Sequence, residues 1–138
     1  MKRIIETLFL FMVGGLIYGL CEIIWRGYTY PAMFFIGGIC FVLIGLINES
    51  FLTYNMSILI QCLIATVVVL TIEFISGVIL NIVLDLNIWD YSDLPFNLYG
   101  QICLYFAGAW YILSAIGIIL DDYLRYFIFG EEKPHYKL

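Results

Sequence analysis

The chain has 138 residues, of which 64% are hydrophobic and 18% aromatic, while only 12% are charged and the formal net charge is −5. A soluble domain carries roughly twice that charged fraction, and here the apolar residues gather in runs too long for a soluble core. The length fits one domain, and the acidic balance excludes a nucleic-acid partner or attachment to lipid through a polybasic patch.

The first apolar run, Ile4 to Ile24, is long enough to cross a bilayer. Lys2 and Arg3 precede it, and Glu22, Trp25 and Arg26 follow at once, so it reads as a retained helix rather than a cleaved leader. Within it Gly15 and Gly19 make a G-x-x-x-G step, which admits a close helix neighbour, by packing within the bundle or by homodimerisation. Glu22 and Arg26 stand one turn apart and can pair along the helix end. Arg26 can also reach across to Asp90 or Asp93 and staple two loops together.

A short turn, W-R-G-Y-T-Y-P, leads to Pro31, well placed as the first residue of the second helix. That helix, Ala32 to about Ile47, is brief for a full crossing. Asn48 and Glu49 end it, and Asn55 is the expected N-cap of the next. The third run, Met56 to about Leu84, is the longest and must tilt or project beyond the hydrocarbon. Glu73, Gly77 and Asn81 fall four residues apart in it and so share one face, with Gln61 a less certain member.

Next comes the longest polar interruption, W-D-Y-S-D-L-P-F-N-L-Y-G-Q-I-C-L, running from Trp89 to Leu104. Non-helical chain between two spans needs protein around it, because hydrocarbon cannot satisfy its backbone. The fourth span is expected from Phe96 to Leu120, ending at Asp121 and Asp122, with an interfacial helix continuing to Gly130. The reading is an all-α integral membrane bundle of four transmembrane helices with a short interfacial C-terminal helix. Residues 1–130 form one transmembrane domain, and 131–138 a polar cytoplasmic tail. Lys2, Arg3, Arg125, Lys133 and Lys137 against Arg26 alone put both termini inside the cell membrane and the 85–97 loop outside.

Two groups of residues carry candidate chemistry. An acid in a span costs about 3 kcal/mol on insertion scales, so Glu73 is either a cation or proton site or a group hydrogen-bonded to a neighbouring helix. In the first case Asn81 is a co-ligand and Gly77 leaves room between them. At the outer mouth, Trp25, Tyr28, Tyr30, Trp89, Tyr91 and Tyr99 form either an interfacial belt or, with Glu22, Asp90 and Asp93, a cage for an organic cation. The candidate ligand-binding set is therefore Glu73, Asn81, Gly77, Glu22, Arg26, Trp25, Trp89, Asp90, Tyr91, Asn97 and Gln101. Trp110 reads as a packing or lipid-facing residue.

Cys21, Cys40, Cys62 and Cys103 lie one in each apolar segment without C-x-x-C spacing, and read as small filler, with a Cys21–Cys103 bridge left open. His135, the only histidine, stands in the tail. No catalytic residue, metal site or cofactor is expected, and an enzyme is the least favoured reading. With no phosphate-binding G-x-x-x-x-G-K-[ST] loop, any ATP-driven step would need another subunit.

The segments W-R-G-Y-T at 25–29, Gly37-Gly38, G-x-x-N-E at 45–49, Glu73/Gly77/Asn81, W-D-Y-S at 89–92, P-x-N-x-x-G-Q-I-C-L at 95–104 and Asp121-Asp122 resemble the ABC-transporter type IV (CmpB-like) family of small multispan membrane proteins. The resemblance implies a transport-related, permease-like subunit. Membrane lipid, further copies of the chain and a separate ATPase subunit are the partners to expect. The alternative is a non-transporting accessory or scaffold protein whose intramembrane polar residues are structural.

Overall fold

The computed structural model describes residues 1–47, 57–134 and 136. The expected helix end at Asn48 and Glu49, the Asn55 cap, His135 and Lys137 lie outside the described residues. Among the described residues the helices are α1 (Lys2–Arg26), α2 (Pro31–Leu46), α3 (Ile58–Gly77) and α4 (Leu104–Phe129). A π-helical stretch, Val78–Val83, prolongs α3, and two short strands, β1 (Asn97–Leu98) and β2 (Ile102–Cys103), precede α4. With their apolar run, α1, α3 with its π-helical extension, and α4 are each long and apolar enough to cross a membrane. At 16 residues, α2 spans about 24 Å, short of a hydrocarbon core of about 30 Å.

Local chemistry sets the ends. Gly27, in the left-handed region with φ 85°, closes α1 by donating its N–H to the Ile23 carbonyl. Tyr30 is extended and Pro31 opens α2, where its missing N–H leaves no gap. Ser57 caps α3 by accepting a hydrogen bond from the Leu59 N–H.

The fourth helix departs from expectation at both ends. It starts at Leu104, not Phe96, because residues 97–103 form an antiparallel hairpin pairing Asn97 with Cys103 and Leu98 with Ile102. Tyr99 (φ 53°) and Gly100 (φ 73°) are the central residues of the turn in its three-residue connection, closed by the Gln101 N–H on the Leu98 carbonyl at 3.0 Å. Two positive φ values in succession match the twist of a tight hairpin, and glycine takes the second without strain. At the other end α4 runs unbroken through Asp121 and Asp122 to Phe129, so the helix does not end at the aspartates. Both aspartates are buried and held by side chains, as described below, and the helix stops only at Gly130.

The helices pack chiefly as two pairs, α1 on α2 and α3 on α4, with α2 also touching α3 and α4. Gly14 faces the Phe41 side chain and Gly37 faces Tyr18, and a β-carbon at Gly15 would stand 2.6 Å from the Phe34 carbonyl oxygen. The close approach of α1 to α2 therefore rests on Gly14, Gly15, Gly37 and Gly38 rather than on the Gly15–Gly19 step. The nearest atom to a β-carbon at Gly19 would be Thr29 Cγ2, at 3.8 Å. The core between α2, α3 and α4 gathers Cys40, Ile44, Cys62, Ala65, Val69 and Ile118. All four cysteines are free thiols, with Cys21 exposed and Cys103 buried.

Gly15→Val should push the first two helices apart and cost about 1–3 kcal/mol. Gly19→Ala should be close to neutral. Thermal unfolding of the two variants in detergent checks the contrast, and an equal loss in both would contradict this packing.

Candidate functional site

Glu73 sits on the buried face of α3, only 6% exposed. Its two carboxylate oxygens accept one hydrogen bond each. Tyr91 O–H donates to Oε1 at 3.1 Å, and Trp110 Nε1–H donates to Oε2 at 3.0 Å. One donor arrives from the loop after α3 and the other from α4. Each donor ring is backed in turn. Tyr18 of α1 stacks on Trp110 with centroids 5.8 Å apart, and Phe106 stacks on Tyr91 at 4.8 Å. Among the described residues no basic side chain pairs with Glu73. Trp110 packs against the core, one of the two roles expected of it, and adds a donor role to Glu73 that nothing in an apolar run marks.

The loop is brought to Glu73 by a second set of contacts, centred on Asn81. The π-helical stretch carries this side chain, and such stretches occur often at functional sites. Asn81 Oδ1 accepts from the Ile88 N–H at 2.7 Å and from the Trp89 N–H at 3.4 Å, while Nδ2–H donates to Gln101 Oε1 at 2.8 Å. Trp89 Nε1–H donates to the Gln101 carbonyl at 3.0 Å, and Gln101 Nε2–H to the Tyr99 carbonyl at 2.9 Å. Gly77 lies beneath them. A β-carbon there would stand 2.5 Å from Gln101 Oε1 and 2.9 Å from the Trp89 ring. The room that Gly77 leaves is thus filled by Trp89 and Gln101, and Asn81 holds the loop rather than facing Glu73 as a co-ligand.

The W-D-Y-S and P-x-N-x-x-G-Q segments fold onto each other. Tyr91 N–H donates to the Gly100 carbonyl at 2.7 Å, and Asn97 Nδ2–H reaches the Leu94 carbonyl at 2.8 Å. Asn97 Oδ1 accepts from the Gly100 N–H at 3.0 Å. Asp90 is exposed and accepts from both the hydroxyl and the N–H of Ser92, which holds its carboxyl below the usual carboxylate range. Burial, and after it the nearby Glu73 charge, push the Tyr91 phenol above its ordinary range. Tyr91 therefore keeps its proton and remains a donor at neutral pH.

At the end of α1, Arg26 pairs with Glu22 through Nε–H and Oε2 at 2.7 Å. It also reaches the loop, donating from Nη1 to the Ile88 carbonyl at 2.8 Å, rather than to Asp90 or Asp93. Its guanidinium lies 4.7 Å from the Tyr28 ring centroid and 5.8 Å from that of Tyr30, so the cation over those two rings is Arg26 itself. Trp25 is 79% exposed and stands apart from the group. Of the candidate set, Glu73 and Tyr91 meet directly. Asn81, Gly77, Trp89, Gln101, Asn97 and Arg26 build and anchor the loop.

A second polar group was not foreseen. At the opposite end of the helices, Arg125 Nη1–H donates to Glu6 Oε1 at 3.0 Å and Nε–H to Asp121 Oδ2 at 3.0 Å. Glu131 approaches the same guanidinium at 3.7 Å, and Tyr136 O–H donates to Asp122 Oδ2 at 2.8 Å. Pro134 is buried, so the tail folds back against the helix ends. The sequence signal was faint, since Glu6 and Arg125 are 119 residues apart.

A family model described as "Putative ABC-transporter type IV" matches residues 2–129. No curated protein and no solved structure matches the chain.

Asn81→Ala should strand the Ile88 N–H and the Gln101 side chain, at about 1–3 kcal/mol for each group left unpaired. Faster proteolysis within residues 84–103 and a lower melting temperature would report it. Arg125→Gln should cost about 3–5 kcal/mol, as removal of one partner of a buried ion pair does. Thermal unfolding with Glu6→Gln as a second variant checks that figure, and a change under 1 kcal/mol would contradict it.

Proposed function

We propose that this chain, which belongs to the ABC-transporter type IV family, is a transport-related, permease-like membrane subunit whose exchange site is the Glu73 carboxylate with Tyr91 and Trp110. The observation that carries this reading is a carboxylate 6% exposed, within an apolar span, held at each oxygen by one neutral donor. An uncompensated charge in a span is expensive. A proton or a small cation offsets it, and the two can compete for the same oxygens. Neutral donors orient the carboxylate without neutralising it, so the site keeps its demand for a positive partner. Tyr91 and Trp110 meet the carboxylate by their polar edges, while one face of each is stacked, on Phe106 and on Tyr18.

In this reading the chain crosses the cell membrane four times, with both termini cytoplasmic. The 85–103 loop lies on the outer side as the entry to Glu73. Four short helices leave little room for a pathway. Further copies of the chain or a separate ATPase subunit would complete one. The task is binding and release rather than bond chemistry. A second reading has its own support. Asn81, Gly77 and Gln101 are spent on clasping the loop, as they would be in a non-transporting accessory or scaffold protein.

Titration of the purified chain with tetraethylammonium in weakly buffered detergent solution separates the two. A binding site of this kind should release up to about one proton for each cation bound and raise the melting temperature. Glu73→Gln should stay folded and lose both responses. Wild-type and variant chains that are equally indifferent would support the scaffold reading.

A further inference from the structure

The α3 helix contains three hydroxyl side chains that satisfy themselves on their own backbone. Thr66, Thr71 and Ser76 each donate to the carbonyl four residues earlier, at 2.7, 2.8 and 2.7 Å. Ser114 of α4 does not. It is 1% exposed, and its hydroxyl has no hydrogen-bond partner among the described residues. A buried hydroxyl left unpaired is costly and calls for a partner such as ordered water.

Its position in the fold matters. Ser114 stands one turn from Trp110, the Glu73 donor, and one turn from Ile118, which lies in the core with Cys62, Ala65 and Val69 of α3. Asp121, Asp122 and Arg125 continue the same buried face of α4. On α3 the buried polar residues Thr66 and Gln61 descend from Glu73 toward that end. Ser114 thus lies about 6 Å along the axis from Trp110 and about 10 Å from Asp121. Polar side chains form a broken seam along the α3–α4 contact, with the apolar Ala65, Val69 and Ile118 between them.

We propose that this seam is a proton path linking Glu73 to the Asp121/Asp122/Arg125 group, with Ser114 as its middle relay and water supplying the intervening oxygens. The proposal rests on Glu73 being the exchange site. At Ser114 the oxygen accepts a proton from the water on one side as its own proton passes to the water on the other. The hydroxyl is returned neutral, one O–H bond forming as one breaks. Glu73 gains or loses the proton at one end and a carboxylate of the far group does so at the other.

Two measurements test it. In a chain with Cys21, Cys40, Cys62 and Cys103 replaced by alanine, S114C should react with a small water-soluble methanethiosulfonate at least about tenfold faster than the same background retaining Cys62. Cys62, 2% exposed and clustered with Cys40, Ile44 and Ile58, serves as the apolar reference. Equal, slow labelling would overturn the path whatever Glu73 does. In liposomes carrying an internal pH dye, Ser114→Ala should slow proton uptake severalfold, while Ser114→Thr, which keeps the hydroxyl, should restore it. Uptake through Ser114→Ala at the wild-type rate would overturn the relay. Failure of the Glu73 reading shows separately, as tetraethylammonium-linked proton release that survives Glu73→Gln.

Discussion

A carboxylate within an apolar helix cannot be left without partners, and the architecture follows from how Glu73 acquires them. Neither of its donors comes from α3. Trp110 requires α4 to lie against α3 at the right height, and Tyr91 requires the loop between them to turn back into the helices. Hydrocarbon offers that loop no hydrogen bonds, so its return has to be built from protein groups. Asn81 provides three of them from one side chain. The hairpin at 97–103 and the left-handed residues Tyr99 and Gly100 then fix the path into α4.

The same rule applies at the other end, with a different solution. Arg125 gathers Glu6 of α1, Asp121 of its own helix and Glu131 of the tail. Buried ions of this kind contribute little net stability, because desolvation offsets most of the attraction. They do specify which ends meet, since α1 and α4 have few other contacts. Glu73 and Arg125 therefore divide the labour. One end holds an acid on neutral donors, and the other gathers acids around a guanidinium that joins the helix ends.

Much of this was legible in the residues. Four-residue spacing placed Glu73, Gly77 and Asn81 on one face, and the i,i+4 relation of Glu22 and Arg26 gave their ion pair. The polar stretch at 89–101 had to fold against the helices for want of hydrogen bonds in lipid, and it does. What stayed hidden depends on distance through the chain. Trp110 looked like any aromatic in an apolar run, because only the fold shows that its N–H meets a carboxylate 37 residues away. Asp121 and Asp122 read as a helix end because charge in a sequence signals water. Here it signals Glu6, Arg125 and Tyr136, whose proximity no local pattern encodes. The start of α4 was set too early because Phe96, Leu98 and Ile102 are apolar, while the Tyr99–Gly100 turn outweighs that signal.

The central claim is that Glu73 and Trp110 act as one unit across α3 and α4. A double-mutant cycle on thermal unfolding, using Glu73→Gln, Trp110→Phe and the pair, tests it most directly. A coupling of about 0.5–3 kcal/mol is expected, as for side chains in one hydrogen-bonded network. Strict additivity of the two substitutions would contradict it.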